Sequence, residues 1–364
     1  MVLRVVLIGY GQIARRQHVP ILLSRPGDFE LCAIVDPVLA SRDVDDYDDD
    51  DIKARLPAPM YSTLDEALLA AAAATATEST TAAASPLGTK YNVAVIIACP
   101  PQFAQDYAER SLRHGISVFM EKPPGLDYRR LGRLQSLAEQ RRLTLYTAYH
   151  STAARGVKRA REWANQQQQL HNHQDIEISI AWKESCAKWH PGQTWIAESK
   201  LGALDMLINP ISMVEEIVGR ERMASMTLDA AKSSMVVIPR NWNGPISGTV
   251  CLVGDSGLLT VHADFAWDYQ DDADVWTISF ESRDGSVMNL YDGGAQLKID
   301  GVDVARAETA TDILRPEYET LYERFVELVA TKESEVRATP LRIVNDILEE
   351  AGVSSHEGAE YTLA

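Results

Sequence analysis

The chain begins with an apolar run that leads directly into a glycine-rich turn, and this feature restricts the possible folds most. LRVVLIG is followed by YGQIARRQHVPILLSR, which has helical periodicity, and then by a second apolar run, FELCAIVD. Gly9 permits a tight turn, Gly11 lets the backbone approach a pyrophosphate, and the small Ala14 allows close helix packing. A GxGxxA motif alone is a weak signal, but here it has the strand, turn and helix order that dinucleotide binding requires.

Further apolar runs alternate with helical segments along the first half of the chain. YNVAVIIACPP precedes the helix-like QFAQDYAERSLRHG, and ISVFMEKPPG follows. Continuous apolar runs in this alternation predict an α/β domain with a doubly wound parallel sheet, a Rossmann domain over residues 1–125. Two segments look like insertions: RDVDDYDDDD predicts a solvated loop, and the Ala/Thr/Ser tract at 68–86 predicts a helix extension followed by a disordered loop.

The hydrophobic period changes from about residue 174. DIEISIAWKE alternates apolar and polar residues, and later runs are separated by DSG, RDG and DGG turns. Residues 126–364 are therefore predicted to form a substrate-binding α+β domain with an open, mostly antiparallel sheet. The segment PEYETLYERFVELV predicts a docking helix with a structural role.

Composition excludes several classes of protein. A chain of 364 residues with 46% hydrophobic content predicts two globular domains, and a net charge of -17 argues against a nucleic acid or an anionic membrane as partner. No stretch has 18 strongly apolar residues, and the first strand begins too early for a signal peptide. We expect a cytoplasmic protein. The four cysteines lack metal-finger spacing, and HNH at 171–173 looks like a polar loop, so no metal is expected.

The ends of the predicted strands supply candidate cofactor contacts. Asp36 lies where a Rossmann fold binds the adenosine ribose, and its charge would repel a 2′-phosphate, which favours NAD over NADP. The alternative is that Asp36 only caps the following turn. Cys99 has no histidine paired with it by spacing, so we expect it to pack beside the cofactor rather than act as a nucleophile. The predicted cofactor-binding residues are Gly9, Gly11, Gln12, Ile13, Asp36, Ala98, Cys99, Pro100, Glu121 and Lys122.

Three motifs in this order, GYGQIA, EKPP and GALDMLINPISM, resemble the glucose-fructose oxidoreductase/inositol dehydrogenase (Gfo/Idh/MocA) family of nicotinamide enzymes over essentially the whole chain. TAYHS, WKESCAKWHPGQTWI and DGGAQLKIDG are similar to its L-arabinose/D-galactose 1-dehydrogenase branch. The resemblance implies an NAD(P)-dependent aldose 1-dehydrogenase that converts a pyranose to its lactone. An NAD-binding sensor or co-regulator and a redox-neutral glycosidase stay open as alternatives. Relatives often pair through the exposed face of the antiparallel sheet, so a homodimer is one expected form.

The resemblance also implies the catalytic residues. Most of the family has an aspartate and, four positions later, a histidine, whereas this chain has Asp205 and Asn209, as the aldose branch does. Since asparagine cannot titrate, the proton acceptor should be Asp205, Lys122 or a water between them. Two local alternatives stay open: Asn209 could be an N-cap with Pro210 as the first helical residue, and Lys122 could be a structural lysine held by Glu121.

The segment that follows the first alternating strand is rich in aromatic and charged residues. Sugars are bound by aromatic faces under their C–H patches and by polar groups on their hydroxyls. Trp267 could close the pocket or simply pack the sheet, and His150 is a further candidate near the nicotinamide. The predicted substrate-binding residues are Lys122, His150, Glu184, Trp189, His190, Asp205, Asn209 and Trp267.

Overall fold

The computed structural model describes residues 2–41, 56–76, 92–170, 176–191, 193, 195–255, 257–271, 273–306, 314–350 and 353–355. The predicted acidic loop at 42–51, the HNH segment and the Ala/Thr/Ser tract beyond residue 76 lie outside these residues. The part of that tract up to residue 76 belongs to the helix Leu64–Ala76, as the predicted extension required.

Two compact units make up the chain, and neither is continuous in sequence. The first comprises Met1–Gly125, Arg129–Ala148 and Tyr318–Val336, and the second comprises Leu126–Tyr128, Tyr149–Glu317 and Arg337–Ala364. The sequence placed one boundary after residue 125. In the structure, two later segments belong to the first unit. One of them, Arg129–Ala148, contains most of a helix and the last strand of that unit's sheet.

Within the described residues, the first unit contains a six-stranded sheet in the order β3-β2-β1-β4-β5-β6, with every pair parallel. This is the doubly wound order of a dinucleotide-binding fold, so the predicted class is confirmed. Continuous burial of the central strands explains their unbroken apolar sequences. The strands are β1 (Leu3–Ile8), β2 (Phe29–Val35), β3 (Met60–Tyr61), β4 (Val93–Ile97), β5 (Ser117–Glu121) and β6 (Leu145–Ala148).

Helical segments connect these strands. The glycine turn is followed by a π-helical segment, Ala14–His18, that continues into an α-helix at Val19–Ser24. The other helices of this region are Pro37–Ala40, Leu64–Ala76, Pro101–Arg113 and Tyr128–Arg141.

The described part of the second unit contains a ten-stranded sheet. Its order is β15-β14-β13-β12-β7-β11-β10-β9-β16, with β8 paired to β10. The strands are β7 (Ile176–Lys183), β8 (Thr227–Leu228), β9 (Ser234–Ile238), β10 (Ser247–Val253), β11 (Leu259–Ala266), β12 (Val275–Ser282), β13 (Val287–Tyr291), β14 (Gln296–Ile299), β15 (Val302–Ala305) and β16 (Val353–Ser355). Most pairs are antiparallel, which confirms the prediction, but β11 pairs with β7 and β16 with β9 in parallel.

One face of this sheet is buried and the other is more exposed. Burial alternates along β7 and β11, so the large apolar residues Ile176, Ile178, Ile180 and Trp182 of DIEISIAWKE point to the buried face. The remaining helical segments are His150–Ala153, Val157–Leu170, Cys186–Trp189, Trp195–Glu198, Leu204–Val218, Arg220–Ala224, Asp292–Gly294, Leu314–Thr331 and Thr339–Glu350. Among the residues described, none of the helices is both long and apolar enough to cross a membrane.

Candidate functional site

The glycine turn after β1 is fixed by a close approach between two strand ends. Gly9 has a φ of +88°, and its N–H donates to the carbonyl of Val35 at 2.8 Å. A Cβ on Gly9 would lie 2.6 Å from the carbonyl oxygen of Ala98 and 2.8 Å from the nitrogen of Cys99. No other residue fits here, because both the backbone conformation and the space exclude a side chain. The turn thus brings together three of the predicted cofactor residues.

Gly11 has a different environment. A Cβ at this position would meet no atom within 4 Å, so packing inside the protein does not require a glycine. Its carbonyl accepts the N–H of Arg15 at 3.1 Å, which places Gly11 at the start of the helical segment, where Ile13 precedes the first π-helical residue. An open backbone at a helix start fits a pyrophosphate, since unpaired N–H groups attract anions. The side-chain amide of Gln12 faces the guanidinium of Arg16.

Asp36 performs the capping role that the sequence left open. Its Oδ1 accepts the N–H groups of Val38 at 3.2 Å and Leu39 at 3.0 Å, and its Oδ2 accepts the N–H of Tyr10 at 3.0 Å. The carboxylate therefore caps a short helix and also holds the glycine turn. A carboxylate offers about four acceptor positions, so these contacts leave capacity for a ribose hydroxyl.

Cys99 lies in the turn after β4, beside Ala98 and Pro100. Desolvation by the surrounding protein raises the pKa of its thiol to about 12, and the negative charge of Asp36 adds to the shift. The thiol therefore stays protonated at neutral pH. Since the thiolate is the nucleophilic form, this favours the packing role over nucleophilic catalysis.

The EKPPG turn at the end of β5 is held from several sides. Glu121 is 8% exposed, and its Oε2 accepts the N–H of Lys122 at 3.0 Å. The peptide bond between Lys122 and Pro123 is cis. Gln105 donates from Nε2 to the carbonyl of Pro124 at 3.1 Å. These contacts fix the backbone from which the partly exposed Lys122 side chain extends.

Gly125 closes the same turn at a φ of +104°. A Cβ there would lie 2.3 Å from the Gln105 side chain, so the glycine allows that side chain to reach the turn.

Asp205 and Asn209 lie on one face of the helix Leu204–Val218, since they are four residues apart. Asp205 is in the first turn and is 6% exposed. The N-cap is Ala203, and Pro210 lies inside the helix. The alternative in which Asn209 caps a helix is therefore wrong, because the helix has already begun at Leu204 and continues past Pro210 to Val218. Within the described residues, Asn209 Oδ1 is buried and has no hydrogen-bond partner.

The buried thiol of Cys186 is affected by the charges of both Glu184 and Asp205. Burial, together with the negative charges of Glu184 and Asp205, raises the pKa of the Cys186 thiol to about 12. Both carboxylates therefore act electrostatically on the same buried thiol of the second unit.

Glu184 organises two tryptophans. It is 7% exposed, its Oε1 accepts the indole N–H of Trp267 at 2.9 Å, and its Oε2 accepts that of Trp276 at 2.8 Å. Trp267 is 1% exposed, and its ring meets that of His190 edge-on, with centroids 5.2 Å apart. Trp267 therefore packs the interior of this unit.

Trp189 is more exposed, at 39%, and belongs to the same aromatic cluster. Its ring lies 5.1 Å from that of Trp276, which in turn stacks on Trp182 at 6.2 Å. Asp274 accepts both the Trp189 indole N–H at 3.1 Å and the ammonium of Lys188 at 2.6 Å. Exposed indole surface held in place in this way suits the C–H face of a sugar.

His150 lies in a short 3-10 helix and pairs with a buried carboxylate. Its Nδ1 is 2.7 Å from Oε2 of Glu317, which is 4% exposed. Burial raises the pKa of Glu317, and the hydrogen bond to His150 opposes the shift. A carboxylate at Nδ1 fixes the orientation of an imidazole, as in many acid–base sites.

Sequence reasoning missed three side chains that contact predicted residues, namely His18, Trp276 and Glu317, and a fourth, Tyr322, that contacts His18. Trp276 lies in a strand read only as part of the sheet, and Glu317 and Tyr322 lie in the helix that was read as structural. No motif marks them, because each contacts its partner across a long separation in sequence. Among the described residues, no group of three or more His, Cys, Asp or Glu side chains is placed to hold a metal ion.

Comparison with known proteins gives three kinds of match. A family model described as an oxidoreductase family with an NAD-binding Rossmann fold, Gfo/Idh/MocA, matches residues 3–149. The galactose 1-dehydrogenase of Pseudomonas fluorescens is 28% identical over 344 residues, which are 94% of this chain and 94% of that protein. The crystal structure of a D-galactose-1-dehydrogenase from Rhizobium etli is similar with a TM-score of 0.75 and 26% identity, covering 99% of this chain and 98% of that one.

More distant structures share the fold. A 3-ketoreductase from Actinomadura kijaniata, crystallised with NADP and TDP-benzene, has a TM-score of 0.70 and 18% identity, covering 98% of this chain and 99% of that one.

Proposed function

We propose that this protein is an NAD(P)-dependent aldose 1-dehydrogenase, because residues 3–149 match the family model of the Gfo/Idh/MocA oxidoreductases with an NAD-binding Rossmann fold. Its reaction is oxidation of the anomeric carbon of a pyranose such as L-arabinose or D-galactose to the sugar lactone. The observation that carries this proposal is the similarity to galactose 1-dehydrogenase over 94% of both chains. L-arabinose and D-galactose share configuration at the first four carbons, so one pocket can accept both.

The glycine turn and the strand ends of the first unit would hold the dinucleotide. Gly11 and the helix start would accept the pyrophosphate, and Asp36 would accept the ribose hydroxyls. We propose NAD as the preferred cofactor, because the Asp36 charge opposes a 2′-phosphate. When bound, the nicotinamide supplies the acceptor for the hydride that leaves C1.

Asp205 is the proposed proton acceptor. Oxidation of the C1 hydroxyl releases its proton as hydride leaves the carbon, and a carboxylate within hydrogen-bond reach can take that proton. The Lys122 ammonium would stabilise the negative charge that develops on the oxygen. Burial of Asp205 and the fixed backbone of Lys122 support these roles. That both residues serve one substrate remains a prediction.

The remaining sugar hydroxyls need fixed donors and acceptors. We propose that Asn209 holds one of them, which is consistent with its buried Oδ1 having no partner among the described residues. Trp189 and His190 would line the sugar. Glu184 would hold the aromatic cluster beneath them in place through its hydrogen bonds to Trp267 and Trp276. His150, oriented by a carboxylate, is a further proposed contact.

The direct test is the appearance of reduced nicotinamide when the purified protein is given a panel of aldoses with NAD or NADP. We expect reduction of NAD with D-galactose or L-arabinose and formation of the corresponding lactone. Tight NAD binding with no turnover of any sugar would instead support the sensor. Cleavage of a glycoside without net NADH would support the redox-neutral glycosidase.

Variants at the proposed proton-transfer residues give a second test. Lys122→Met and Asp205→Asn should each lower turnover by roughly 10²–10⁴-fold while NAD affinity stays unchanged. Near-normal turnover with a lower melting temperature in Lys122→Met would support a purely structural lysine.

Asn209→Asp tests whether this side chain faces the sugar. It would place two carboxylates one helical turn apart, which should raise the pKa of one, weaken sugar binding and shift the pH–rate profile. An unchanged profile with unchanged sugar affinity would remove Asn209 from the site.

A further inference from the structure

A continuous chain of hydrogen bonds runs through the interior of the first unit and ends at the backbone of Lys122. The Tyr322 hydroxyl is 2.7 Å from Nδ1 of His18, and Nε2 of His18 is 2.9 Å from Oε1 of Glu121. The other carboxylate oxygen of Glu121 accepts the N–H of Lys122 at 3.0 Å. His18 and Tyr322 are fully buried, and Glu121 is 8% exposed. No part of the proposed reaction uses His18 or Tyr322 directly.

The carboxylate of Glu121 sets the direction of these hydrogen bonds, since it only accepts. Burial and the charge of Glu121 raise the pKa of Tyr322 well above its usual value, so the phenol stays protonated and can donate a hydrogen bond to Nδ1 of His18. An imidazole that accepts at Nδ1 carries its proton on Nε2, which then donates to Glu121. Each donor in the series meets one acceptor, so no member is left unsatisfied. Buried networks that are fully satisfied rigidify the residues that they join.

Aromatic rings lock the imidazole in this position. The ring of His18 meets Phe119 at 5.7 Å and Tyr318 at 5.3 Å, both edge-on. Phe119 also stacks on Tyr322 at 5.3 Å. Rotation of the imidazole would displace at least one of these rings, so the packing enforces the geometry that the hydrogen bonds require.

We propose that His18 and Tyr322 are positioning residues that set Lys122 through Glu121. The proposal rests on the proposed function, in which the Lys122 ammonium stabilises the charge that develops on the sugar oxygen. Glu121 belongs both to this hydrogen-bonded series and to the EKPPG turn, and so connects His18 with the backbone of Lys122. Placement errors of about 1 Å at a reacting group can cost about 10²-fold in rate, so fixing this backbone has direct value for turnover.

Tyr322→Phe is the first variant, because it removes a single hydroxyl and retains the stacked ring. Thr144→Val is the matched control: Thr144 is fully buried and donates to the carbonyl of Leu328 at 3.0 Å, so this variant removes another buried hydroxyl bond to the same helix. We expect Tyr322→Phe to lower kcat by about tenfold, which corresponds to about 1.4 kcal/mol, with little change in NAD affinity. We expect Thr144→Val to leave kcat near that of the wild type.

Two substitutions of His18 distinguish the hydrogen bond to Glu121 from the hydrogen bond to Tyr322. His18→Gln can keep a donor near the position of Nε2 and so keep the bond to Glu121, whereas His18→Asn keeps an amide only near Nδ1. Turnover should therefore be higher in His18→Gln than in His18→Asn.

A labelling measurement reads the position of Lys122 without any turnover. The rate of acetylation of Lys122, relative to that of the exposed Lys188 in the same sample, is followed by peptide mass spectrometry in the full-length protein. Tyr322→Phe and His18→Asn should raise this ratio, because a released turn exposes the ammonium, whereas Thr144→Val should not.

The outcomes are distinct. An unchanged labelling ratio and kcat in Tyr322→Phe, or equal losses in Thr144→Val, would overturn the positioning role. If the wild type oxidises no aldose, the proposed function fails. The labelling ratio still decides whether the hydrogen bonds through His18 and Tyr322 position Lys122.

Discussion

Replacing Glu184 with glutamine tests whether this carboxylate organises the aromatic cluster or contacts the sugar itself. Glu184 is 7% exposed, and its two oxygens accept indole N–H groups at 2.9 Å from Trp267 and 2.8 Å from Trp276. A glutamine of nearly the same shape offers one acceptor oxygen and one NH₂ group. One indole N–H would therefore face a donor, and the other would bond to a neutral oxygen instead of a charged one.

The cost follows from these two changes. Losing one bond to a charged acceptor costs about 1.5–3 kcal/mol, and weakening the other costs about 1 kcal/mol. A buried neutral amide is easier to desolvate than a carboxylate, which returns about 1 kcal/mol. Glu184→Gln should therefore lower the free energy of unfolding by about 1.5–3 kcal/mol.

Urea unfolding followed by far-ultraviolet circular dichroism measures this change, and Trp276→Phe supplies the control. In the Glu184→Gln background, Trp276→Phe removes an indole N–H that no longer has a charged acceptor. It should therefore cost less than in the wild type, with a coupling energy of about 1–2 kcal/mol in the double-mutant cycle. A loss of stability below about 0.5 kcal/mol would refute the reasoning. If sugar affinity then still fell, Glu184 would be a direct sugar contact.

Three further predictions follow from local geometry and charge. Asp36→Ser should raise the NADP-to-NAD ratio of kcat/KM by about 10–100-fold with a modest loss of stability, since serine can still cap the helix but loses the hydrogen bond to the N–H of Tyr10; a wild type that already uses both cofactors would contradict it. Gly9→Ala should destabilise the protein by about 1–3 kcal/mol. Gly11→Ala should instead keep the melting temperature of the wild type and lose only NAD affinity, measured by calorimetry; equal melting temperatures of the two variants would contradict this. Burial raises the pKa of Glu215 from its ordinary value of 4.5, so ionisation opposes folding as the pH rises above that value. The melting temperature of Glu215→Gln minus that of the wild type should therefore increase as the pH rises. A difference that decreases with pH would refute the raised pKa of Glu215.

Local patterns were sufficient for the architecture. Unbroken apolar runs predicted parallel strands and alternating runs predicted the open sheet, because the period of a sequence reports which faces of each element are buried. The glycine turn could also be placed in advance, since Gly9 and Gly11 lie between an apolar run and a helical segment. The close approach of Gly9 to Ala98 and Cys99 could not, because those residues are distant in sequence. The parallel pairing of β7 with β11 could not, because periodicity does not specify which strand lies beside which.

The side-chain chemistry of the site was decided by tertiary structure. Asn209 and Pro210 look like a helix start in sequence, but packing carries the helix back to Leu204 and leaves both inside it. His18 meets Glu121 and Tyr322 across separations of 103 and 304 positions. Such contacts have no local signature, because a hydrogen bond between distant residues depends on how whole elements pack. The sequence by itself determined the fold class and the candidate motifs, and the tertiary structure alone determined which buried groups hold these motifs in place.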